Sequence, residues 1–146
     1  MFQLKGRVAV ITGASSGLGK QMAKGFASQG ADLVIMARRL ERLEEAEQFF
    51  GKVDILVNCA GSAKNNGVLN MTDEEWRFTM DTDLNSVFYV TREFANIMKK
   101  NNYGRIINIA SMYGMVGNMA MDTVAYHSSK GYKICGCRTC EIWNYM

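Results

Sequence analysis

A chain of 146 residues has the length of one domain. Its 48% hydrophobic and 21% charged content is ordinary for a globular chain, and a net charge of +3 is too small and too dispersed to argue for a nucleic-acid or membrane surface. No apolar run reaches membrane-spanning length, and a buried strand starting by Arg7 leaves no room for a signal peptide. A cytoplasmic setting with reduced cysteines is therefore expected.

In chain order, Arg7-Val-Ala-Val-Ile-Thr12 is an apolar run of strand length. It leads into Gly13-Ala-Ser-Ser-Gly17-Leu-Gly19 and then a helical pattern, with Leu18, Met22 and Phe26 four apart, that stops at Gly30. Strand, glycine turn and helix together suit a dinucleotide phosphate. The glycines allow close backbone approach, and the helix N-terminus offers free N–H groups and the positive end of its dipole.

Further strands are predicted at Leu33–Ala37, Val53–Asn58 and Arg105–Ala110, all short and apolar on both faces, as a covered parallel sheet requires. A helix is predicted over about Leu40 to Phe50. Another starts at the capping box Thr72-Asp-Glu-Glu75, with Met71 and Trp76 as a hydrophobic staple, and runs with a bend to Lys100. The last begins near Thr123 and carries Tyr126 and Lys130 on one face, four apart. A fixed cation beside a phenol stabilises the phenolate and readies it for proton exchange, and Ser111 at a strand end can hold a carbonyl oxygen next to it. His127 and its neighbouring serines read as surface.

Thr12-Gly13-x-x-x-Gly17-x-Gly19, Asn58-Cys59-Ala60-Gly61, Ser111 and Tyr126-x-x-x-Lys130 occur in the order of the short-chain dehydrogenases/reductases, which the chain resembles from about residue 5 to 131. Gly104–Ser111 and Ala125–Gly131 look most like bacterial sugar-acid dehydrogenases and 3-oxoacyl-carrier-protein reductases. The resemblance implies a Rossmann-like, doubly wound α/β fold with helices on both faces, here an incomplete sheet of about four strands in the order 2-1-3-4. It also implies hydride transfer between NAD(P) and a small carbonyl or alcohol substrate, and homo-oligomers in the family, doubtful for this chain. Tyr126 would be the general acid/base, Lys130 its cationic neighbour and the holder of the nicotinamide ribose, and Ser111 the group orienting the substrate oxygen. Gly13, Ser15, Ser16, Gly17, Leu18, Gly19, Asn58, Ala60 and Gly61 would border the cofactor, with Tyr126 and Lys130.

Several departures qualify that picture. Asp83 takes the catalytic position where the family has an Asn at the bend of the long helix that helps bind a water of the proton relay. An aspartate can still accept from that water, and Asn85 falls on another side of the helix. Negative charge at Asp83 would compete with Tyr126 for Lys130. Ala37 replaces the acid that binds a ribose 2′-OH and Arg38 follows it, which favours NADP over NAD. About thirty residues, one strand-plus-helix unit, are missing between Arg39 and Gly51. After residue 131 the family pattern ends, and 132–146 reads as an aberrant tail in which Gly136 opposes a helix. Cys135, Cys137 and Cys140 lack the paired spacing of a zinc site, so no metal is expected. The tail admits a reading as frame-shifted translation of a truncated member. The outcome expected is weak cofactor binding and weak turnover, or nucleotide binding without catalysis.

Overall fold

A computed structural model of the protein describes residues 3–36, 51–117 and 122–131, and the backbone of 141–145. Its strands are β1 (Val8–Thr12), β2 (Asp32–Met36), β3 (Ile55–Asn58), β4 (Arg105–Ile109) and β5 (Glu141–Tyr145). They form one parallel sheet in the order β2-β1-β3-β4-β5. The first four occupy the expected order, with ends within two residues of expectation.

β5 adds a fifth strand to the roughly four expected, within the stretch read as an aberrant tail. Glu141-Ile-Trp-Asn-Tyr145 is rich in residues that favour strands, and it pairs along the whole of β4, from Arg105↔Glu141 to Ile109↔Tyr145. The edge of β4 is thereby covered. The predicted helix at 40–50, Ala37 and Arg38, and Cys135, Cys137 and Cys140 lie outside the described residues.

The described helices are α1 (Gly17–Ser28), α2 (Asp73–Met80), α3 (Ser86–Lys100) and α4 (Val124–Lys130). Apolar side chains alternate across the sheet and explain its two covered faces. Val10 and Leu56 point to one side, where Val90, Phe94, Ile97 and Met98 of α3 cover them. Ala9, Ile11, Ile55 and Val57 point to the other, against Ala23, Met22 and Phe26 of α1. Residues 90, 94, 97 and 98 make one helical stripe, and each such large side chain contributes about 1.5–3 kcal/mol when fully buried.

Between α2 and α3 the helix does not break. Asp81–Asn85 widens into a single π turn at the place where a bend was expected. At the start of α2, Thr72 and Glu75 form both hydrogen bonds of the capping box, while Trp76 stays 39% exposed. Thr123, the residue before α4, holds His127 Nδ1 with its hydroxyl at 2.9 Å and its carbonyl at 2.8 Å.

At the amino-terminal edge of the sheet, Asp54 ties β1 to β3. Its carboxylate accepts from the Val8 N–H at 2.9 Å and pairs with Arg7 at 2.7 Å and Lys52 at 3.2 Å.

Candidate active site

The strand order reverses between β1 and β3, because α1 carries the chain from β1 to β2 on one side while β3 lies on the other. Ligands of open α/β sheets bind beyond the carboxyl ends of the strands at such a switch point. Here the two loops are locked together. Thr12 Oγ1 accepts from the N–H groups of Cys59 at 3.0 Å and Ala60 at 3.1 Å. A Cβ at Gly13 would stand 2.7 Å from Ala60 Cα, and Gly13 itself has φ +68°, a conformation that suits glycine. A side chain at Gly19 would run into the Gly13 carbonyl. Two glycines thus serve closure of the fold.

Gly17 differs. It too has positive φ, +54°, but a Cβ there would meet nothing within 4 Å. Ser15, Ser16 and Leu18 are exposed around it. The first turn of α1 holds no acidic residue, and the Ser16 side chain does not cap it. Its first N–H groups therefore meet neither a capping side chain nor an acidic residue of their own turn. This donor set fits the pyrophosphate of a dinucleotide.

Asn58 is placed otherwise than at the cleft surface. It is 3% exposed, and its Nδ2 donates to Thr91 Oγ1 at 3.0 Å and Asn108 Oδ1 at 2.8 Å. The amide stitches β3, β4 and α3 together, so it acts on the cleft through the Cys59–Gly61 loop that follows it. Burial pushes the Cys59 thiol up, against the opposing pull of the Lys130 charge, so it is neutral near pH 7.

The remaining residues gather around α4. Ser111 precedes a short 3₁₀ turn, Met112–Gly114, and its hydroxyl accepts from the Tyr113 N–H at 3.3 Å. A side chain at Gly114 would run into the Lys130 carbonyl, so this turn lies directly against the end of α4. Tyr113 also packs edge-on to Tyr126, with ring centroids 6.3 Å apart. Lys130 Nζ lies 5.4 Å from the Tyr126 ring centroid, with 9% of its side chain exposed. Tyr126 and Lys130 thus share one helix face, with the ammonium over the tyrosine ring.

Asp83 enters from the π turn. Its Oδ1 accepts from the Ser62 N–H at 2.7 Å and its Oδ2 stands 3.7 Å from Lys130 Nζ. A Cβ at Gly61 would lie 3.4 Å from Lys130 Nζ and 3.6 Å from the Asp83 carboxylate, so the β3 loop closes over the pair. Asn85 faces outwards and donates to Asp81 at 2.7 Å, off the cleft as expected. His127 and Ser129 correct the surface reading of this helix. The His127 ring packs at a tilt against Tyr113, with centroids 5.1 Å apart, its Nε2 is buried, and Ser129 is 3% exposed. Only Ser128 of the three is exposed.

Thr91, Asn108 and Gly114 were not singled out from the sequence, and Thr12 entered only as the first residue of the glycine motif. Each acts through a partner many positions away, and local pattern does not reveal it: Thr91 lies within α3, Asn108 within β4 and Gly114 in the 3₁₀ turn.

The sheet order, the glycine turn and this cluster define a doubly wound α/β protein of Rossmann type. A profile of the family described as short chain dehydrogenase matches residues 7–48 and 43–134, and the chain belongs to that family. The two matched segments overlap at 43–48, within the stretch where a strand-plus-helix unit was expected to be missing. Nodulation protein G of Rhizobium sp. (strain N33) is 35% identical over 146 aligned positions, covering 81% of this chain and 60% of the relative. A 3-oxoacyl-acyl-carrier-protein reductase of Haemophilus influenzae is 33% identical, covering 79% and 59%. The crystal structure of a short-chain type dehydrogenase/reductase from Mycobacterium marinum superposes with a TM-score of 0.85 at 28% identity, covering 89% of this chain and 66% of that one. The chain thus spans about 60% of the length of the curated relatives it matches. Among the described residues no helix is long and apolar enough to cross a membrane.

Proposed function

We propose that the protein is an NAD(P)-dependent oxidoreductase that interconverts a small ketone and a secondary alcohol. The observation that carries this reading is the convergence of Tyr126, Lys130 and the Ser111 turn beside the loop that closes on the glycine turn. Bound NAD(P) would supply the hydride. Gly13, Ser15, Ser16, Gly17, Leu18 and Gly19, with Ala60 and Gly61 opposite, would hold it at the α1 N-terminus. Tyr126 would pass a proton to or from the substrate oxygen. Ser111, whose hydroxyl accepts from Tyr113 and retains its own proton to donate, would orient that oxygen. Lys130 would favour the phenolate by its charge and donate to a ribose hydroxyl.

Binding is the first test. A cofactor that binds only the folded chain raises Tm by mass action. Gly17→Asp should abolish that rise. Aspartate tolerates positive φ and the space around Gly17 is open, so the fold should survive. Its carboxylate would stand where the pyrophosphate must lie. No Tm rise for the unmutated chain at millimolar NADP or NAD would sink the cofactor assignment.

NADP is the preferred form on charge grounds. Arg38 follows β2 in sequence, and a ribose 2′-phosphate is matched by arginine where a 2′-hydroxyl is matched by an acid. Arg38→Ala should weaken NADPH by about 1.5–3 kcal/mol, the contribution of one charge-assisted hydrogen bond, and NADH far less. Equal losses for both would make Arg38 a surface cation.

A second reading, nucleotide binding without turnover, is favoured by one observation. The Asp83 carboxylate stands 3.7 Å from Lys130 and draws on the charge that Tyr126 needs. Saturable cofactor binding with no ketone reduction at any pH would select it.

A further inference from the structure

Asp83 is a carboxylate with its side chain fully buried, and such a group is costly unless both oxygens are paired. Oδ1 is satisfied by the Ser62 N–H. Oδ2 has no hydrogen-bond partner, and its nearest cation, Lys130 Nζ at 3.7 Å, is beyond good hydrogen-bond distance. Lys130 is equally uncommitted. Its contact with the Ile109 carbonyl is long at 3.4 Å, and its third neighbour is the Tyr126 ring. One ammonium is shared among a carboxylate, a carbonyl and the face of the Tyr126 ring, and none of the contacts is short. Burial pushes the Asp83 carboxyl up, and the Ser62 N–H and the Lys130 charge oppose that shift without cancelling it.

We propose that Asp83 is a pH-dependent positioning residue: ionised, it draws the Lys130 ammonium toward the π turn, and protonated, it releases that ammonium to Tyr126 and to any anion beside it. This rests on the reading of Tyr126 and Lys130 as the acid/base and cofactor-holding pair.

The other charged and titratable groups on the surrounding elements are engaged elsewhere or exposed, as Glu74 of α2 and Asp122 before α4 are. In the loop after β3, Cys59 keeps its proton and Lys64 lies over the Phe78 ring at 5.5 Å. On α2, Glu75 is held by Asn66 and Thr72, and Asp73 pairs with Arg77. In the π turn itself, Asp81 is exposed and held by Asn85. On α3, Arg92 pairs with Glu93. On α4, His127 is tied to Thr123. Burial, the Ser62 N–H and Lys130 therefore govern the titration of Asp83.

Carboxyl-carbon NMR on aspartate-labelled protein tests the coupling, with Asp83→Asn identifying the resonance. Asp83 should titrate above the ordinary aspartate range, and Lys130→Met should move its midpoint up by a further half unit or so, because burial is then less opposed. Lys130→Arg keeps the charge and should leave the midpoint nearly in place, which separates a charge effect from a packing one. A midpoint that Lys130→Met does not move overturns the proposal.

The second readout is one that a merely structural role would not change. The Tm rise produced by NAD, whose pyrophosphate does not titrate between pH 5 and 8, should shrink as pH climbs through the Asp83 titration. The change should correspond to about a threefold loss of affinity, and Asp83→Asn should abolish the pH dependence. The same pH dependence in both proteins also overturns the proposal. Absence of any Tm rise in both would remove the cofactor reading instead and leave the NMR result to decide Asp83.

Discussion

Asp54→Ala should destabilise the chain by about 2–4 kcal/mol, although Asp54 lies at the end of the sheet opposite the cleft. Its two cations are 40% and 42% exposed in their side chains, so they regain water when the carboxylate goes, and surface pairing of that kind is weak. The buried Val8 N–H cannot follow them. Val8 is 2% exposed and its N–H would lose its acceptor outright. Asp54→Asn should lose less, because an amide oxygen can still serve Val8 while its NH₂ faces Arg7 unfavourably. Urea unfolding at pH 7 measures the difference, and a loss below about 1 kcal/mol would mean that water replaces the carboxylate.

The same residue fixes a pH dependence. Burial pushes the Asp54 carboxyl up, but the Val8 N–H, Arg7 and Lys52 outweigh burial and hold it below its usual value. A group lowered in the folded state stabilises fully above its unfolded value, near 4, and that stability is lost as pH falls through the folded one. Asp83 has the opposite sign. Its folded value is raised, so its contribution is present below the unfolded value and lost as pH rises through the folded one. Unfolding free energy measured against pH should therefore flatten below pH 4 in Asp54→Ala, and flatten above it in Asp83→Asn.

These two carboxylates also mark what was legible in the sequence. The strands, the capping box and the tyrosine–lysine face follow from local periodicity, and the sheet order follows from strand and crossover rules. The bend at 81–85 was expected from motif alignment, yet no pattern of apolar residues specifies a π turn, because an inserted residue leaves the stripe on either side intact. Asp54 was silent, since its partner Arg7 lies 47 positions away and only folding brings them together. Asn58 carried a motif that pointed to the cofactor, while its amide bonds span 33 and 50 positions into the sheet layer. β5 was hidden by the cysteine- and glycine-containing run before it, and five residues are too few for alternation alone to separate strand from loop.

Tyr126→Phe should lower ketone reduction by about 10²- to 10⁴-fold, the usual contribution of a positioned general acid or base. The substitution removes one oxygen and keeps the ring, so the edge contact with Tyr113 and the place of Lys130 over the ring should remain. The fold and the cofactor-induced Tm rise should then be unchanged. Lys130→Met should behave differently, losing turnover and part of that Tm rise together, because its ammonium would serve both the phenol and the ribose. Asp83→Asn should move the other way and raise turnover, since it keeps an acceptor for the Ser62 N–H and frees the Lys130 charge. All three are measured as NADPH oxidation with a small ketone, beside melting curves with and without cofactor. If Tyr126→Phe retains the parent rate, the proton passes elsewhere and Tyr126 is only a packing residue. If it loses rate and cofactor binding together, the phenol holds the cleft in shape and its chemistry is not needed to explain the loss.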